Sequence, residues 1–447
     1  MAKYLTRGNP AKLIFFFALP LFIGNLFQQL YSIADTLIVG RILGLTALAG
    51  VGCTGSLLFL ILGFVMGMTS GFSIVTAQYY GARNKTGVRR SFCAAVILAV
   101  VVAILFTLIT VPLTRSILTA MLTPPEIMAD AHAYLLIIFC GIGASVLFNL
   151  LSNMILALGD SKTPLVFLII ACLLNIVLDF AFILHTPMGV AGAALATVLS
   201  QIASGLLCVR YIFKKLPELR PHKKDWLLTL HDLYKPLSIG LPMGFQISVI
   251  AVGAIVLQAA LNNLGPLSVA AYTAAQKIDM IGVLPMMSFG LAMATYTAQN
   301  YGARDLARIS QGVRQCCVMS VSFSVAVAAV NITFGRYLIE LFVGDGQDAV
   351  IEMGQIYLTI NGCMYWILAL LFIFRNTLQG LGQSAVPTLA GVMELVMRTL
   401  AAVTLTAYLG FNGACMANPL AWLGAAVPLC IAYCLTIRCL CRDGRPA

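Results

Sequence analysis

The sequence predicts an all-α integral membrane protein of about twelve transmembrane helices, arranged as two parallel six-helix repeats. Three observations predict it. Charged residues make up 10% of the chain and hydrophobic ones 60%, with a mean hydropathy of +0.96; a soluble domain is about 25% charged. Apolar runs of the length that crosses a bilayer, about 20 residues or more, recur along the whole chain. A set of short motifs in the first half returns in the second at an offset of 221 to 223 residues.

In chain order the apolar runs cover 12–43, 46–80, 91–119, 130–157, 164–184 and 189–213. After a polar stretch they resume over 236–263, 267–301, 314–343, 351–380, 386–409 and 413–437. The expected organisation is therefore an N-lobe over 1–213, a cytoplasmic linker over 214–235 and a C-lobe over 236–447. The linker carries Lys214, Lys215, Arg220, Lys223 and Lys224, and Pro217, Pro221 and Pro236 should keep it from continuing either flanking helix. The run after Lys12 is too long for a cleavable leader and lacks a small-residue cleavage site, so it should anchor.

Basic residues set the orientation. Of the 27 Lys and Arg, 21 fall in the two termini and the even-numbered connections, and only Arg41, Arg115 and Arg336 in the odd ones. The positive-inside rule then places both termini and the linker in the cytoplasm. The same distribution excludes a nucleic-acid groove: the net charge of +11 sits in short loops, and no basic stretch is interleaved with aromatics. Most of the thirteen Cys lie in apolar runs, where Cys acts as a small hydrophobe. The four His show no ligand spacing. Neither a structural disulfide nor a bound cofactor is expected.

The internal repeat is carried by four matches in order. Ala77-Gln78-Tyr79-Tyr80-Gly81-Ala82-Arg83 returns as Ala298-Gln299-Asn300-Tyr301-Gly302-Ala303-Arg304. Leu19-Pro20 returns as Leu241-Pro242, Leu158-Gly159 with Pro164 as Leu381-Gly382 with Pro387, and Gly189 with Gly192-Ala193 as Gly410 with Gly413-Ala414. An even number of helices per half gives both halves the same orientation, the parallel-repeat plan of many transporters. Pro20 and Pro242 should kink the first helix of each half. Gly63, Gly67 and Gly71, four apart, suit close helix packing.

Two carboxylates stand out. Asp35 and Asp179 each lie deep in an apolar run, where a charged Asp costs roughly 2.5–3.5 kcal/mol at the bilayer centre on insertion scales. Asn175 shares a helix face with Asp179, four residues on. Two such acids can carry a proton near neutral pH. Alternatively, oxygens of Asp35, Asp179, Asn175 and Thr197 can coordinate Na+, a hard cation that favours oxygen ligands. The second half lacks both acids, which map to Leu257 and Ala402. It carries instead Glu394 and Arg398, spaced as a helix ion pair, with Asn175 mapping onto Arg398. Asp279 is a further deep acid, and Lys277, two residues away, cannot face it. Arg375-Asn376 is expected to end the tenth helix at the cytoplasmic interface. Met286, Met287, Phe289 and Met364 suit packing. Gly159-Asp160-Ser161-Lys162-Thr163 lacks the glycine spacing of a P-loop, and no nucleophile triad, zinc helix or flavin fingerprint is present, so an enzyme is not expected.

Taken together, these residues resemble the multidrug and toxin extrusion (MATE) transporters, across essentially the whole chain. The resemblance rests on Asn9-Pro10, Ala18-Leu19-Pro20, Asp35 with Val39-Gly40, the repeated Ala-Gln-x-Tyr-Gly-Ala-Arg, Leu158-Gly159-Asp160, and Asn175, Asp179 and Thr197. It implies two six-helix lobes around a V-shaped central cavity. It also implies export of organic cations and other amphipathic drugs in antiport with H+ or Na+ by alternating access. The implied N-lobe cation chamber is Asp35, Tyr134, Asn149, Asn175, Asp179 and Thr197. Some members carry an essential acid in the second lobe, for which Asp279 and Glu394, with Arg398 beside it, are the candidates here. The expected setting is a bacterial plasma (inner) membrane, with the chain working as a monomer on small-molecule substrates. The alternative is a lipid-linked precursor flippase of the same superfamily, for which extra helices and a strongly basic cavity would be expected.

Overall fold

A computed structural model describes residues 4–344 and 346–443. Lys3 and Arg445, counted above in the charge bias, lie outside the described residues. Among the described residues the chain is helical throughout, with no strand. The helices are α1 (Pro10–Ile42), α2 (Leu45–Gly81), α3 (Lys85–Ala120), α4 (Pro125–Cys140), α5 (Ile142–Ala157), α6 (Lys162–His185) and α7 (Val190–Lys215). They continue as α8 (Leu230–Asn262), α9 (Pro266–Gly302), α10 (Leu306–Val343), α11 (Asp348–Gly380), α12 (Ala385–Leu409) and α13 (Phe411–Asp443). Eleven are individually long and apolar enough to span a membrane, and α4 with α5 make a twelfth span. Helices suit that role because every backbone polar group is satisfied within the segment.

The fourth span is broken: α4 and α5 meet at Gly141 with a bend of 48°. A Cβ at Gly141 would lie 2.2 Å from Val198 Cγ2, so the missing side chain lets α7 enter the bend. Its counterpart, α11, runs unbroken for 33 residues.

The expected repeat shows in local geometry. Arg83 and Arg304 both adopt a left-handed backbone, with φ of 56° and 61°. Each follows the glycine that ends α2 or α9, and the next residue, Asn84 or Asp305, caps the following helix by accepting from Gly87 N or Arg308 N at 2.9 Å. Gly189 and Gly410 share φ of 55° and 57°, a conformation that a side chain disfavours.

Two compact units emerge, with a division that differs from the expected lobes. The first takes Ile23–Gly244 with the chain up to Tyr4; the second takes Leu5–Phe22 with the chain from Phe245 on. The boundaries at 213 and 236 therefore do not coincide with the packing units: the first part of α1 belongs to the second unit and the first part of α8 to the first. The contacts explain this. Leu5 N donates to Gln299 Oε1 at 2.8 Å, and Leu5 O accepts from Asn300 Nδ2 and Arg308 Nη2, both at 3.4 Å. In the first unit, α2 and α8 touch through backbone. A Cβ on Gly71 would lie 2.4 Å from Gly240 Cα, and one on Gly67 2.5 Å from Met243 O. The four-residue glycine spacing thus serves close packing. Pro20 and Pro242 sit inside continuous helices, each two residues before its helix changes unit.

The linker is more ordered than expected. It holds short 3-10 turns at Pro217–Leu219 and Lys223–Trp226, and α8 begins at Leu230 rather than after Pro236. The reason is a cap: Asp232 Oδ2 accepts from Thr229 N at 2.8 Å and from Thr229 Oγ1 at 2.7 Å, starting the helix ahead of the proline. Arg89 and Arg90 of α3 hold the linker through Asp225 at 2.9 Å and Asp232 at 2.6 Å. Desolvation pushes the Asp225 carboxyl up, but the His222 backbone N–H and the Arg89 guanidinium together hold it below its ordinary value.

Asp160 organises the turn before α6. It accepts from Lys162 N, Thr163 N, Thr163 Oγ1 and Tyr211 OH at 3.2, 3.1, 2.8 and 2.7 Å. Desolvation raises its carboxyl pKa, and these bonds outweigh it and leave the pKa below the ordinary 3.8. A lowered carboxyl stabilises the fold fully above its unfolded pKa, and loses that contribution as pH falls through the folded value. Asp160→Asn is therefore expected to cost about 1–2 kcal/mol at pH 7. The deficit against the parent should shrink below about pH 4. Thermal unfolding of both proteins across pH checks this; a pH-independent deficit contradicts it.

Candidate functional site

In the first unit, α1, α4, α6 and α7 bring together most of the residues expected to form a chamber. Asp179 and Asn175 are buried, at 0% and 2% exposure, and Tyr134 at 7%. Asp35 and Thr197 are half-buried. Asn175 Nδ2 donates to Thr197 Oγ1 at 3.3 Å. The Tyr31 and Thr197 hydroxyls lie 3.2 Å apart. Asp35 and Asp179 are close enough for their charges to repel, and the Tyr134 hydroxyl lies within electrostatic reach of both. Ile38, Val39, Ile138, Ile183 and Val190 form the apolar wall around Tyr134. Asn149 Nδ2 donates to Ser145 O at 2.8 Å, on its own helix. Tyr31 is an addition. It lies four residues before Asp35 on the same face of α1, a spacing that could have found it.

The acceptors in this chamber outnumber the donors. Both Asp179 oxygens, Asp35 Oδ1 and Asn175 Oδ1 are buried and have no hydrogen-bond donor among the described residues. An unsatisfied buried acceptor costs about 1–3 kcal/mol, more when charged. Two ionised carboxylates within reach of each other also repel and have no proton to share. The arrangement fits a cation held between them: a proton bridging the acids, or a metal cation taking their oxygens with those of Asn175 and Thr197. An all-oxygen donor set suits Na+.

In the second unit the corresponding positions are filled differently. Leu257 and Ala402 stand where the acids would be, both inside a hydrophobic core with Tyr272, Tyr357 and Ala414. Asp279 enters from α9 instead. It accepts from Tyr357 OH at 3.2 Å and from Tyr365 OH, whose hydroxyl in turn accepts from Asn331 Nδ2 at 3.1 Å. Both Asp279 oxygens are thus served, in contrast to those of Asp179. Tyr357, Asn361 and Tyr365 form an i, i+4, i+8 stripe on α11, a polar pattern legible in an apolar run. Lys277 is exposed and Asp279 buried, as their two-residue spacing requires.

Glu394 and Arg398 pair as expected, with Arg398 Nη2 to Glu394 Oε1 at 2.8 Å. A second cation joins them. Arg375 Nη2 lies 2.6 Å from Glu394 Oε2. The expectation that Arg375 ends its helix at an interface is corrected: it is buried, at 7% exposure, and α11 runs on to Gly380. Its partner is nineteen residues away in sequence, beyond the reach of helix-spacing arguments.

The MatE family model matches residues 20–181 and 242–404, most of the chain. The chain belongs to the MatE family. Each matched segment of this MatE protein opens at one of the repeated prolines and extends just past Asp179 or its counterpart Ala402. Among its relatives, the probable multidrug resistance protein YpnP of Bacillus subtilis (strain 168) is 30% identical, over 84% of this chain and 84% of its own length. The probable multidrug resistance protein NorM of Thermotoga maritima is 26% identical over 83% of this chain and 80% of its own length. A solved outward-facing multidrug resistance MATE family transporter of the MOP superfamily has the same fold. It superposes with a TM-score of 0.91 at 24% identity, over 98% of both chains.

Proposed function

We propose that this MatE transporter exports amphipathic organic cations and other drugs in antiport with H+ or Na+, by alternating access. Its relatives are named as multidrug resistance and export proteins. The observation that carries the coupling site is the set of orphaned oxygens on Asp35, Asp179 and Asn175. An outward-facing state loads the cation there and an inward-facing state releases it; the difference in ion affinity between the two states is what a gradient can use. Asn175 and Thr197 supply neutral oxygens, Tyr31 and Tyr134 line the chamber, and Asp279 and Glu394, each served by protein partners, hold structure. The acidic chamber favours efflux over the flippase alternative, for which a strongly basic cavity would be expected. Proteoliposomes loaded with a cationic dye test this: an imposed pH or Na+ gradient should drive the dye out, and exchanging one gradient for the other identifies the ion. Dye movement indifferent to both gradients defeats the reading.

The orientation follows from the charge bias: both termini and the linker face the cytoplasm of a bacterial inner membrane, and the transporter works as a monomer. Lys224 is exposed in the linker, whereas its neighbour Asp225 is buried and paired, so Lys224 is the better probe. In a Cys-less background, Lys224→Cys should be shielded from an impermeant thiol reagent in intact cells and labelled in inverted vesicles. His185→Cys should do the opposite. Labelling of position 224 from outside reverses the topology.

A further inference from the structure

We propose that the second unit carries an oxyanion-binding site built from Arg375, Arg398 and Gln246, which takes the carboxylate or phosphate group of an amphipathic ligand. Three helices converge on it. Arg375 and Gln379 are four apart on α11, Glu394 and Arg398 four apart on α12, and Gln246 faces them from α8, accepting from Gln379 Nε2 at 2.8 Å. Gly391 makes room for Gln246, since a Cβ there would lie 3.0 Å from Gln246 Cγ. Gly253 does the same for Arg398, with a Cβ 3.0 Å from Nη1.

Charge is the first argument. One carboxylate stands between two guanidiniums, all three side chains being at least nine-tenths buried. The group therefore holds one positive charge in excess, inside a membrane protein where such a charge needs a partner. Asp279, the other buried acid of this unit among the described residues, already takes two tyrosine hydroxyls.

Unspent donors are the second argument. Arg375 Nε, Arg398 Nε and Gln246 Nε2 are buried and have no acceptor among the described residues. Guanidinium and amide N–H groups together are the donor set that recognises carboxylate and phosphate oxygens. The third argument is polarity. The positions equivalent to Gln246, Arg375, Glu394 and Arg398 in the first unit are Gly24, Ser152, Ala171 and Asn175, none of them charged. The acids of the first unit in turn have apolar equivalents in the second. The second half has been built for an anion where the first has been built for a cation, which suits acidic amphiphiles among the cargo. That choice of cargo rests on the efflux reading; the site itself does not.

The test is equilibrium binding without any gradient, so that failure of ion coupling leaves it untouched. Purified protein in uncharged detergent is titrated with rhodamine 110, which bears a free carboxylate, and with rhodamine 123, its methyl ester, by fluorescence polarisation. The acid should bind about tenfold more tightly than the ester, as a charge-assisted bidentate contact provides. That ratio should fall to about one in Arg398→Gln and persist in Arg398→Lys. Arg398→Gln leaves a neutral Arg375–Glu394 pair and should fold; Arg375→Gln serves if it does not. Repeating the titration in nanodiscs with and without phosphatidylglycerol separates the sources. Competition by that lipid against the acid in the parent, absent from the variant, makes a lipid phosphate the occupant. No competition makes it the cargo carboxylate. Equal binding of acid and ester by the parent, or an undiminished ratio in Arg398→Gln, overturns the site.

Discussion

Asp179→Asn is expected to abolish gradient-driven efflux, leaving dye movement at the leak rate of protein-free vesicles, while the protein remains folded in the membrane. The two halves of this expectation have separate causes. Asn matches Asp in size and resembles its protonated form, and Asp179 anchors nothing: neither of its oxygens accepts a hydrogen bond from a donor among the described residues. Removing its charge should therefore leave packing intact and thermal stability equal or higher, since a buried carboxylate without donors is a cost to the fold. Coupling, however, needs a cation whose affinity differs between the two states of the transporter. With one acid gone, that difference goes too. Asp35→Asn should behave alike, and the double mutant should show none of the parent's pH or Na+ dependence of dye binding. Parental pumping by Asp179→Asn under the same gradient would move the coupling site to the second unit, to Asp279 first.

Glu394→Gln should be the most destabilising single change in the second unit. The substitution leaves two buried guanidiniums without their shared carboxylate, and stranding one partner of a buried ion pair costs about 3–5 kcal/mol. Two stranded cations in one cluster place it at the upper end of that range. The expected readout is a large fall in the temperature at which the detergent-solubilised monomer peak is lost on size exclusion. Arg375→Gln and Arg398→Gln should each be far milder, because either leaves a neutral pair. Equal losses from all three would mean that the cluster is held by geometry rather than by charge. A Glu394→Gln protein that is stable yet inactive would assign Glu394 to transport instead.

The twelve spans, the repeat and the two acids were legible because each is a local property of the sequence. Apolar runs report bilayer thickness, motifs at constant offset report duplication, and a lone carboxylate in such a run is conspicuous by its cost. The chamber partners were only partly legible. Asn175 falls on the face of Asp179 by spacing, and Tyr31 could have been placed beside Asp35 in the same way. Arg375 could not: its pairing with Glu394 joins two helices, and helix periodicity carries no information about which faces meet. A residue's position in a family pattern does not fix its rotamer, as Asn149 illustrates. Within this chain the amide turns back one helical turn to Ser145 O. The start of α8 was missed because a Thr-x-x-Asp cap outweighed a proline. The unit boundaries were missed because packing, rather than loop composition, decides where one body ends.

That exchange of the opening segments of α1 and α8 has an evolutionary reading. Cut the chain at the linker, and neither piece contains a complete compact unit; each lacks the helical segment that the other donates. This is the topology of a domain-swapped dimer, drawn in a single polypeptide. A half-length ancestor with this architecture would have been an obligate pair, each copy lending the opening segment of its first helix to its twin. Gene fusion would then have tied together partners that already depended on each other, freeing one copy to keep its acids and the other to fill those positions with Leu257 and Ala402 and place arginines elsewhere.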